Sequence, residues 1–265
     1  MKNSTKFKFL GSADSAGIPV HNCSCDICKK YRKEKKENLA SCAYIEIDNE
    51  IILIDAGHDN LASVFNQKII AGVFLTHFHA DHCLGLLRLR HSSSRIDCFH
   101  PKDKEGFADL FKHKHSINYI ENNVFETIIV KGISFTPIPL LHSKNTTGYL
   151  IEYNSMCIAY LSDCAGINTK SMNFLKSKVL DYVFIDACYD ERKNKGNHLN
   201  YEQAETILDE LKAKKSFLIQ ASHKSLNYIL KEKIILKYPY IEGNFEINLI
   251  TLNKNSRNSE KCRNS

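Results

Sequence analysis

The chain has 265 residues, 43% of them hydrophobic, which is enough for one large α/β domain or two small ones. Its net charge of +6 suits phosphorylated substrates and permits nucleic acid, although a charge excess of this size is usually just a solvated surface. No apolar run approaches the roughly 20 residues that a membrane helix needs, and the polar N-terminus lacks the apolar core of a signal peptide. We therefore expect a cytoplasmic protein without a membrane partner.

Short β-branched runs alternate with amphipathic stretches along the chain. The predicted strands cover residues 6–10, 43–47, 51–54, 72–75, 96–99, 125–130, 133–137, 148–152, 157–161, 182–185, 217–219 and 245–250. The predicted helices cover residues 61–66, 83–89, 104–111, 170–176, 201–213 and 226–235, and a charged stretch at 29–37 reads as the exposed face of another helix. No repeat or Pro/Gly-rich linker divides them, so we predict one domain over residues 1–252 and a disordered tail over 253–265.

Three thiols lie within six residues, at Cys23, Cys25 and Cys28, and we call them the cysteine cluster. The chain has ten cysteines, and in an unsecreted protein they are more typical of metal ligands and buried thiols than of disulfides. Thiolates this close favour a tetrahedral Zn²⁺ with one further ligand. The alternative is three reduced thiols without a metal, but crowded free thiols oxidise readily. We predict a structural zinc knuckle at residues 23–28.

The segment Thr-His-Phe-His-Ala-Asp-His at residues 76–82 follows the apolar strand predicted at 72–75. In an extended loop, residues two apart point the same way, so His77 and His79 can share one ion. Asp81 and His82 lie where the chain turns into a helix, so they can face a second ion. Imidazole and carboxylate are ligands that Zn²⁺ and Mn²⁺ prefer. A chance cluster of polar loop residues is a poor alternative, because four ligands fall within six positions.

This segment matches the His-x-His-x-Asp-His signature of the metallo-β-lactamase superfamily. Three further motifs resemble that superfamily in the expected order, at residues 54–57, 140–143 and 161–163. The resemblance implies an α/β fold, an αββα sandwich of two mixed β-sheets with helices on the outer faces. It also implies two divalent ions, Zn²⁺ or Mn²⁺, in the active site. The ligands it assigns are His77, His79 and His142 for one ion, Asp81 and His82 for the other, and Asp163 as the bridge.

Two of these assignments depend on the resemblance. From the residues alone, His142 is equally consistent with a core histidine, and Asp163 with a turn aspartate after a strand. The order and spacing of the motifs favour the ligand roles for both.

The cysteine cluster narrows the resemblance to the phosphoribosyl 1,2-cyclic phosphate phosphodiesterases of the carbon–phosphorus lyase pathway. That family carries a Cys-x-Cys-x-x-Cys zinc knuckle near its N-terminus, and the likeness covers most of the chain up to about Ser225. It implies phosphonate metabolism and a small phosphorylated substrate. The reaction would convert phosphoribosyl 1,2-cyclic phosphate to ribose 1,5-bisphosphate through attack by a metal-bridging hydroxide. A homodimer is expected by analogy only.

The chain departs from that family at residues 218–223, Leu-Ile-Gln-Ala-Ser-His. The family has two histidines three positions apart, the first completing the active site and the second the zinc knuckle. In the preferred alignment His223 closes the cysteine cluster and Gln220 replaces the active-site histidine. A glutamine oxygen is a weaker, harder ligand, so the second ion would bind less tightly or be a harder ion such as Mn²⁺. The competing alignment gives His223 to the active site and leaves the cluster to His21 or Cys42.

Asp81 resembles a catalytic residue of the superfamily, and so do two further residues, His198 and Asp186. His198 lies just before the helix predicted at 201–213, where such phosphodiesterases often place a proton-donating histidine. Asp186 ends a predicted strand and resembles an aspartate that orients a metal-binding histidine. A solvated loop histidine and a plain strand-end aspartate are the alternatives.

Three other functions share this pattern. A tRNA 3′-processing endonuclease has the same site and proton donor and would bind nucleic acid, but it normally carries a long basic arm, which the sequence does not show. A β-lactamase or other amide hydrolase is disfavoured because Asp163 matches the phosphodiesterase type of site. A binding protein with reduced activity is consistent with Gln220, although the six retained ligands argue against it.

Overall fold

The computed structural model describes residues 5–249, which form two mixed β-sheets with helices. The strands are β1 Lys6–Ala13, β2 Leu39–Ala40, β3 Cys42–Ile47, β4 Glu50–Ile54, β5 Ile69–Phe74, β6 Ile96–His100, β7 Ile117–Glu121, β8 Ile128–Val130, β9 Ile133–Leu140, β10 Thr146–Tyr153, β11 Met156–Leu161, β12 Tyr182–Asp186, β13 Lys215–Ile219 and β14 Glu246–Asn248. The helices are α1 Asp26–Glu34, α2 Leu61–Val64, α3 Ala80–Cys83, α4 Leu86–Leu89, α5 Ala108–Lys112, α6 Thr169–Lys176, α7 Tyr201–Leu211 and α8 His223–Glu232.

Each sheet combines an antiparallel part with a parallel part. The first sheet runs β14-β1-β3-β4-β5-β6-β7, with β2 paired to β1, and its strands from β4 to β7 are parallel. The second sheet runs β13-β12-β11-β10-β9-β8, and β11, β12 and β13 are parallel. Because parallel strands place their carboxyl ends at one edge, the residues that follow β4, β5, β11, β12 and β13 can meet there.

The two sheets share an aromatic core. Phe74 of β5 stacks on Phe135 of β9 with ring centroids 3.9 Å apart, and Phe7 of β1 stacks on Phe184 of β12 at 5.6 Å. Stacked aromatic pairs of this kind contribute beyond the area that they bury. A second apolar cluster packs α6 and α7 on the outer face of the second sheet, and a third packs α2 and α4 on the first. This layering confirms the predicted αββα sandwich.

Some element bounds differ from the sequence prediction. The helix predicted at 83–89 is two short helices, because the Gly85 N–H donates to the Ala56 carbonyl oxygen at 2.7 Å instead of continuing one helix. The strand predicted at 125–130 begins only at Ile128, since Phe125 has a positive φ of 64°. The sequence pattern does not predict strands β2 and β7.

Two sequence predictions reach past the described residues. The tail predicted at 253–265 lies outside them, as do the end of the predicted domain and the last position of the strand predicted at 245–250. Within residues 5–249, no helix is long and apolar enough to cross a bilayer.

Candidate metal centre

The candidate site lies where strands from both sheets end. Most of its side chains come from segments that follow a strand, but Asp186 is the last residue of β12 and His198 precedes α7. Asp55 follows β4, His77 follows β5, His142 follows β9, Asp163 follows β11, Asp186 ends β12 and Gln220 follows β13. Short loops after strands of a packed sandwich hold side chains in fixed positions, so this edge is suited to a preorganised site.

Three histidines converge at one end of the site. Nε2 of His77 lies 2.8 Å from Nδ1 of His79, and Nε2 of His142 lies 3.3 Å from the same Nδ1. All three ligand atoms lie within 4.8 Å of one another. The structure thus brings together the three histidines that the resemblance assigns to one ion.

A second group of side chains meets the first at Asp163. Oδ2 of Asp163 lies 3.3 Å from Nε2 of His82, and that nitrogen lies 3.4 Å from Oδ2 of Asp81. The same Asp163 oxygen is 3.9 Å from Nε2 of His77 and 4.0 Å from Nε2 of His142. Asp163 therefore lies between the two groups, where a bridging ligand would have to be.

Hydrogen bonds behind the histidines orient their free nitrogens toward this centre. Nδ1 of His82 donates to Oδ2 of the buried Asp55 at 2.8 Å, and Nδ1 of His142 donates to the carbonyl oxygen of Asn197 at 2.7 Å. Nδ1 of His77 lies 3.0 Å from Oγ1 of Thr76, whose own hydroxyl donates to Asp55. A proton on each Nδ1 leaves the Nε2 lone pair facing inward, which is how neutral histidines bind metals.

The donor set fits divalent ions. Nε2 of His82 and Oε1 of Gln220 are buried and have no hydrogen-bond partner among the described residues. Buried polar atoms without partners are rare in proteins, and atoms of this kind often contact a bound ion or an ordered water. Burial also lowers the pKa of His77 well below its ordinary value, which keeps the ring neutral and able to coordinate. Four imidazoles and two carboxylates are a donor set typical of Zn²⁺ or Mn²⁺.

A glycine brings the second group into place. Gly57 lies against the backbone of Asp81, and a Cβ at Gly57 would lie 1.6 Å from the Asp81 carbonyl oxygen. The Ala56 N–H also donates to the His82 carbonyl oxygen at 2.8 Å. Any larger residue at Gly57 would push away the turn that carries Asp81 and His82.

Gln220 is buried at the same centre. Its backbone has a positive φ of 61°, and its side-chain N–H donates to Oδ1 of Asp163. The structure therefore places Gln220 beside the candidate ligands, as the preferred alignment predicts. Its role as a ligand stays a prediction.

His198 and Asp186 form a pair at the rim of the centre. Nδ1 of His198 donates to Oδ2 of Asp186 at 2.6 Å, and the His198 ring lies 5.1 Å from that of His142. Asp186 is fully buried and also accepts the N–H of Cys164 at 2.8 Å. Burial alone would lower the pKa of His198, but the Asp186 carboxylate outweighs it and raises the pKa to about 9. His198 can therefore hold a proton at neutral pH.

The cysteine cluster lies apart from this centre and meets His223. Nδ1 of His223 lies 3.4, 3.6 and 3.7 Å from Sγ of Cys23, Cys25 and Cys28 respectively. Ligands on a tetrahedral zinc are about 3.6 Å apart, given Zn–S and Zn–N bonds of about 2.3 and 2.1 Å. This placement agrees with the preferred alignment. Cys42, one of the two ligands that the competing alignment offers, instead donates to the Asp55 carbonyl oxygen at 3.3 Å, and the choice between His223 and His21 stays a prediction.

Sequence reasoning does not find the support that Thr76 and Asp55 provide. In the sequence, Asp55 stands out only as part of a family motif, and Thr76 only as the start of the histidine segment. Both residues follow buried strands, which is a signal that they could lie close together. Their contact depends on the pairing of β4 with β5, which the sequence does not show.

The chain is similar to a known protein family and to several solved structures. A family model described as a β-lactamase superfamily domain matches residues 50–219. The crystal structure of a diphosphatase from the PhnP family is 25% identical, with a TM-score of 0.78 over 92% of this chain and 96% of that chain. Zn²⁺-bound PqqB from Methylobacterium extorquens is 17% identical, with a TM-score of 0.72 over 92% of this chain and 100% of that one.

A curated relative is longer than this chain. The octanoyltransferase of Porphyromonas gingivalis is 25% identical over 260 residues, which cover 89% of this chain and 49% of that protein. The chain spans about half the length of the curated relatives it matches.

Proposed function

Because the chain belongs to the β-lactamase superfamily, we propose that it is a metal-dependent hydrolase that cleaves a cyclic phosphodiester in a small phosphorylated molecule. The candidate substrate is phosphoribosyl 1,2-cyclic phosphate, and the product is ribose 1,5-bisphosphate. The observation that carries the proposal is the central position of Asp163, between three histidines on one side and His82 with Asp81 on the other.

The residues around Asp163 would hold two divalent ions, Zn²⁺ or Mn²⁺. His77, His79 and His142 would bind one ion, and Asp81 with His82 the other. Ions so placed lower the pKa of a bound water and neutralise charge that develops on the phosphoryl oxygens. The Asp55 carboxylate holds His82 in the tautomer that this requires, so it contributes without touching the substrate.

His198 would protonate the departing oxygen. Opening a phosphodiester ring releases an alkoxide, which is a poor leaving group unless it is protonated as the P–O bond breaks. The Asp186 hydrogen bond points Nδ1 of His198 away from the centre and leaves Nε2 facing it. Asp186 is thus a positioning residue that keeps the donor protonated and oriented.

Phosphorus chemistry is favoured over amide hydrolysis by the similarity to the PhnP-family protein. That protein is described as a diphosphatase and is 25% identical across nearly the whole chain. Hydrolysis of a diphosphate and hydrolysis of a cyclic phosphodiester both require attack on phosphorus. In both, negative charge develops on the leaving oxygen. A substrate panel therefore has to contain both.

The test compares kcat/KM of the purified, metal-loaded protein across substrate classes. The panel contains a five-membered cyclic phosphodiester, a linear dinucleotide, a nucleoside diphosphate and a precursor tRNA. The highest kcat/KM is expected for the cyclic phosphodiester. Preferential trimming of the precursor tRNA at its 3′ end would support a tRNA-processing endonuclease instead, and tight binding of the cyclic compound without turnover would support a binding protein.

Four further sequence predictions accompany this proposal. The homodimer, the cytoplasmic location, the role in phosphonate metabolism and the structural Zn²⁺ at the cysteine cluster with His223 all stay predictions.

A further inference from the structure

A cleft of about 580 Å³ adjoins the metal centre on the side of His198. Its walls include Asp14, Tyr189, Lys193 and Lys224. The Tyr189 ring packs edge-on against the His198 ring with centroids 5.6 Å apart, so the cleft begins where the proposed proton donor lies. A substrate bound at the centre could extend into this space.

The cleft contains a lysine without a carboxylate partner. Nζ of Lys193 lies 3.6 Å from the centroid of the Tyr189 ring. Among residues 5–249, no carboxylate oxygen lies within 4.0 Å of this Nζ. A cation over an aromatic face keeps its full charge, so it remains available to an anion.

Arg192, next to Lys193 in the same loop, has a carboxylate partner and a structural role. Arg192 donates to both carboxylate oxygens of Asp190 at 2.7 Å and lies 3.8 Å from the centroid of the Tyr228 ring. That paired geometry neutralises the guanidinium and anchors the loop. Lys193 is therefore the loop's unpaired charge at the cleft.

Packing of the loop holds Lys193 in position. A Cβ on Gly196 would lie 2.7 Å from Cε2 of Tyr189 and 3.3 Å from Cε of Lys193, so this close approach needs a glycine. The Lys193 carbonyl oxygen also accepts a hydrogen bond from Asn200, the N-cap of α7, at 3.3 Å. The lysine is thus partly ordered before any ligand arrives, which lowers the entropic cost of binding.

We propose that this cleft binds a second, non-reacting phosphate of the substrate through Lys193, with Lys224 as a second cation on the wall. The inference rests on the proposed function and assigns to Lys193 the selection of a substrate that carries a phosphate besides the one that is cleaved. Asp14 on the same wall suits a hydroxyl of the sugar that joins the two phosphates.

The test uses two substrates that differ by one phosphate, ribose 1,2-cyclic phosphate and its 5-phosphorylated form. The ratio of their kcat/KM values is measured for the wild type, for Lys193→Ala and for Lys195→Ala. Lys195 is the matched control, because it is an exposed lysine of the same loop that does not line the cleft. We expect Lys193→Ala to reduce the preference for the phosphorylated form about tenfold, as loss of a charged hydrogen bond predicts. Lys195→Ala keeps the wild-type ratio.

A binding measurement separates this inference from the proposed function. Isothermal titration calorimetry with ribose 5-phosphate needs no turnover, and Lys193→Ala is expected to weaken binding about tenfold relative to the wild type and to Lys195→Ala. Equal binding by the two variants, or equal substrate ratios, overturns the phosphate site. If the wild type hydrolyses neither cyclic compound, the proposed function fails while the titration still decides whether the cleft binds phosphate.

Discussion

The side-chain amide of Gln220 donates a hydrogen bond to Oδ1 of Asp163, while Oδ2 of the same carboxylate lies 3.3 Å from Nε2 of His82. The family that this chain resembles has a histidine where Gln220 lies. Oε1 is then the atom of Gln220 that is free to contact an ion, and a carboxamide oxygen is a weaker ligand than the imidazole it replaces. An ion beside His82 would therefore have fewer strong ligands than an ion held by three histidines. The two ions should therefore differ in affinity.

Gln220→His is expected to tighten the weaker ion about tenfold or more, because imidazole is a better ligand for Zn²⁺ than a carboxamide. Metal content after dialysis against graded chelator concentrations measures this directly. Gln220→Ala is the matched control, since it removes the same hydrogen bond to Asp163 without adding a ligand and should not tighten the ion. Equal retention by all three proteins would show that position 220 does not act on the metal.

Asp81→Ala and His79→Ala should each reduce hydrolysis of bis(p-nitrophenyl) phosphate about a thousandfold or more. Divalent ions are worth several kcal/mol to this chemistry, and each 1.36 kcal/mol is a factor of ten in rate. His113→Ala serves as the control because His113 is an exposed histidine away from the site. Metal content and melting temperature are measured on the same samples. Undiminished turnover in both variants would contradict the assigned centre.

His198→Ala should slow hydrolysis most for substrates whose leaving group has to be protonated. A loss of about a hundredfold is expected for the cyclic sugar phosphate, whose leaving group is an alkoxide. A much smaller loss is expected for bis(p-nitrophenyl) phosphate, because p-nitrophenolate is stable as an anion. Equal losses on both substrates would make His198 a structural or binding residue. Asp186→Asn should show the same pattern with a smaller loss, since the hydrogen bond from Asp186 orients the His198 ring.

The resemblance to the superfamily implied the αββα fold and the ligand roles of His142 and Asp163, whereas the grouping of His77, His79, Asp81 and His82 could be predicted because it is encoded locally. The segment at residues 76–82 contains four candidate ligands in a strand–loop–helix turn, and strand periodicity marks the sheets that carry it. The contacts that orient those ligands are encoded in the topology. Asn197 lies 55 positions from His142, and nothing in either segment indicates that they meet.

The absence of β7 from the sequence prediction has a similar cause. Residues 117–121, Ile-Asn-Tyr-Ile-Glu, alternate only weakly and follow a histidine-rich stretch without a clear turn signal. The segment is extended because it pairs in parallel with β6 along its full length. Tertiary pairing of this kind overrides a weak local pattern, so a single sequence does not reveal it.

The last prediction concerns His223, which joins the end of one sheet to the N-terminal segment. His223 begins α8 directly after β13, and the cysteine cluster lies between β1 and the first turns of α1. A Zn²⁺ bound by all four residues would therefore cross-link segments about 200 positions apart. Because the unfolded chain has no such preformed site, zinc binding would contribute to the free energy of folding.

His223→Ala should release one zinc per chain and lower the melting temperature by at least about 5 °C, since 1 kcal/mol corresponds to roughly 2–4 °C in a domain of this size. The matched control is His21→Ala, because His21 is the exposed histidine that the competing alignment offers as fourth ligand. The released zinc is counted together with the metal retained at the Asp163 centre, which the substitution does not touch. If His21→Ala releases the zinc and His223→Ala does not, the competing ligand is correct. If His223→Ala instead removes the ion beside Asp81, His223 belongs to the active site, and the tetrahedral spacing at the cysteine cluster does not reflect a zinc site.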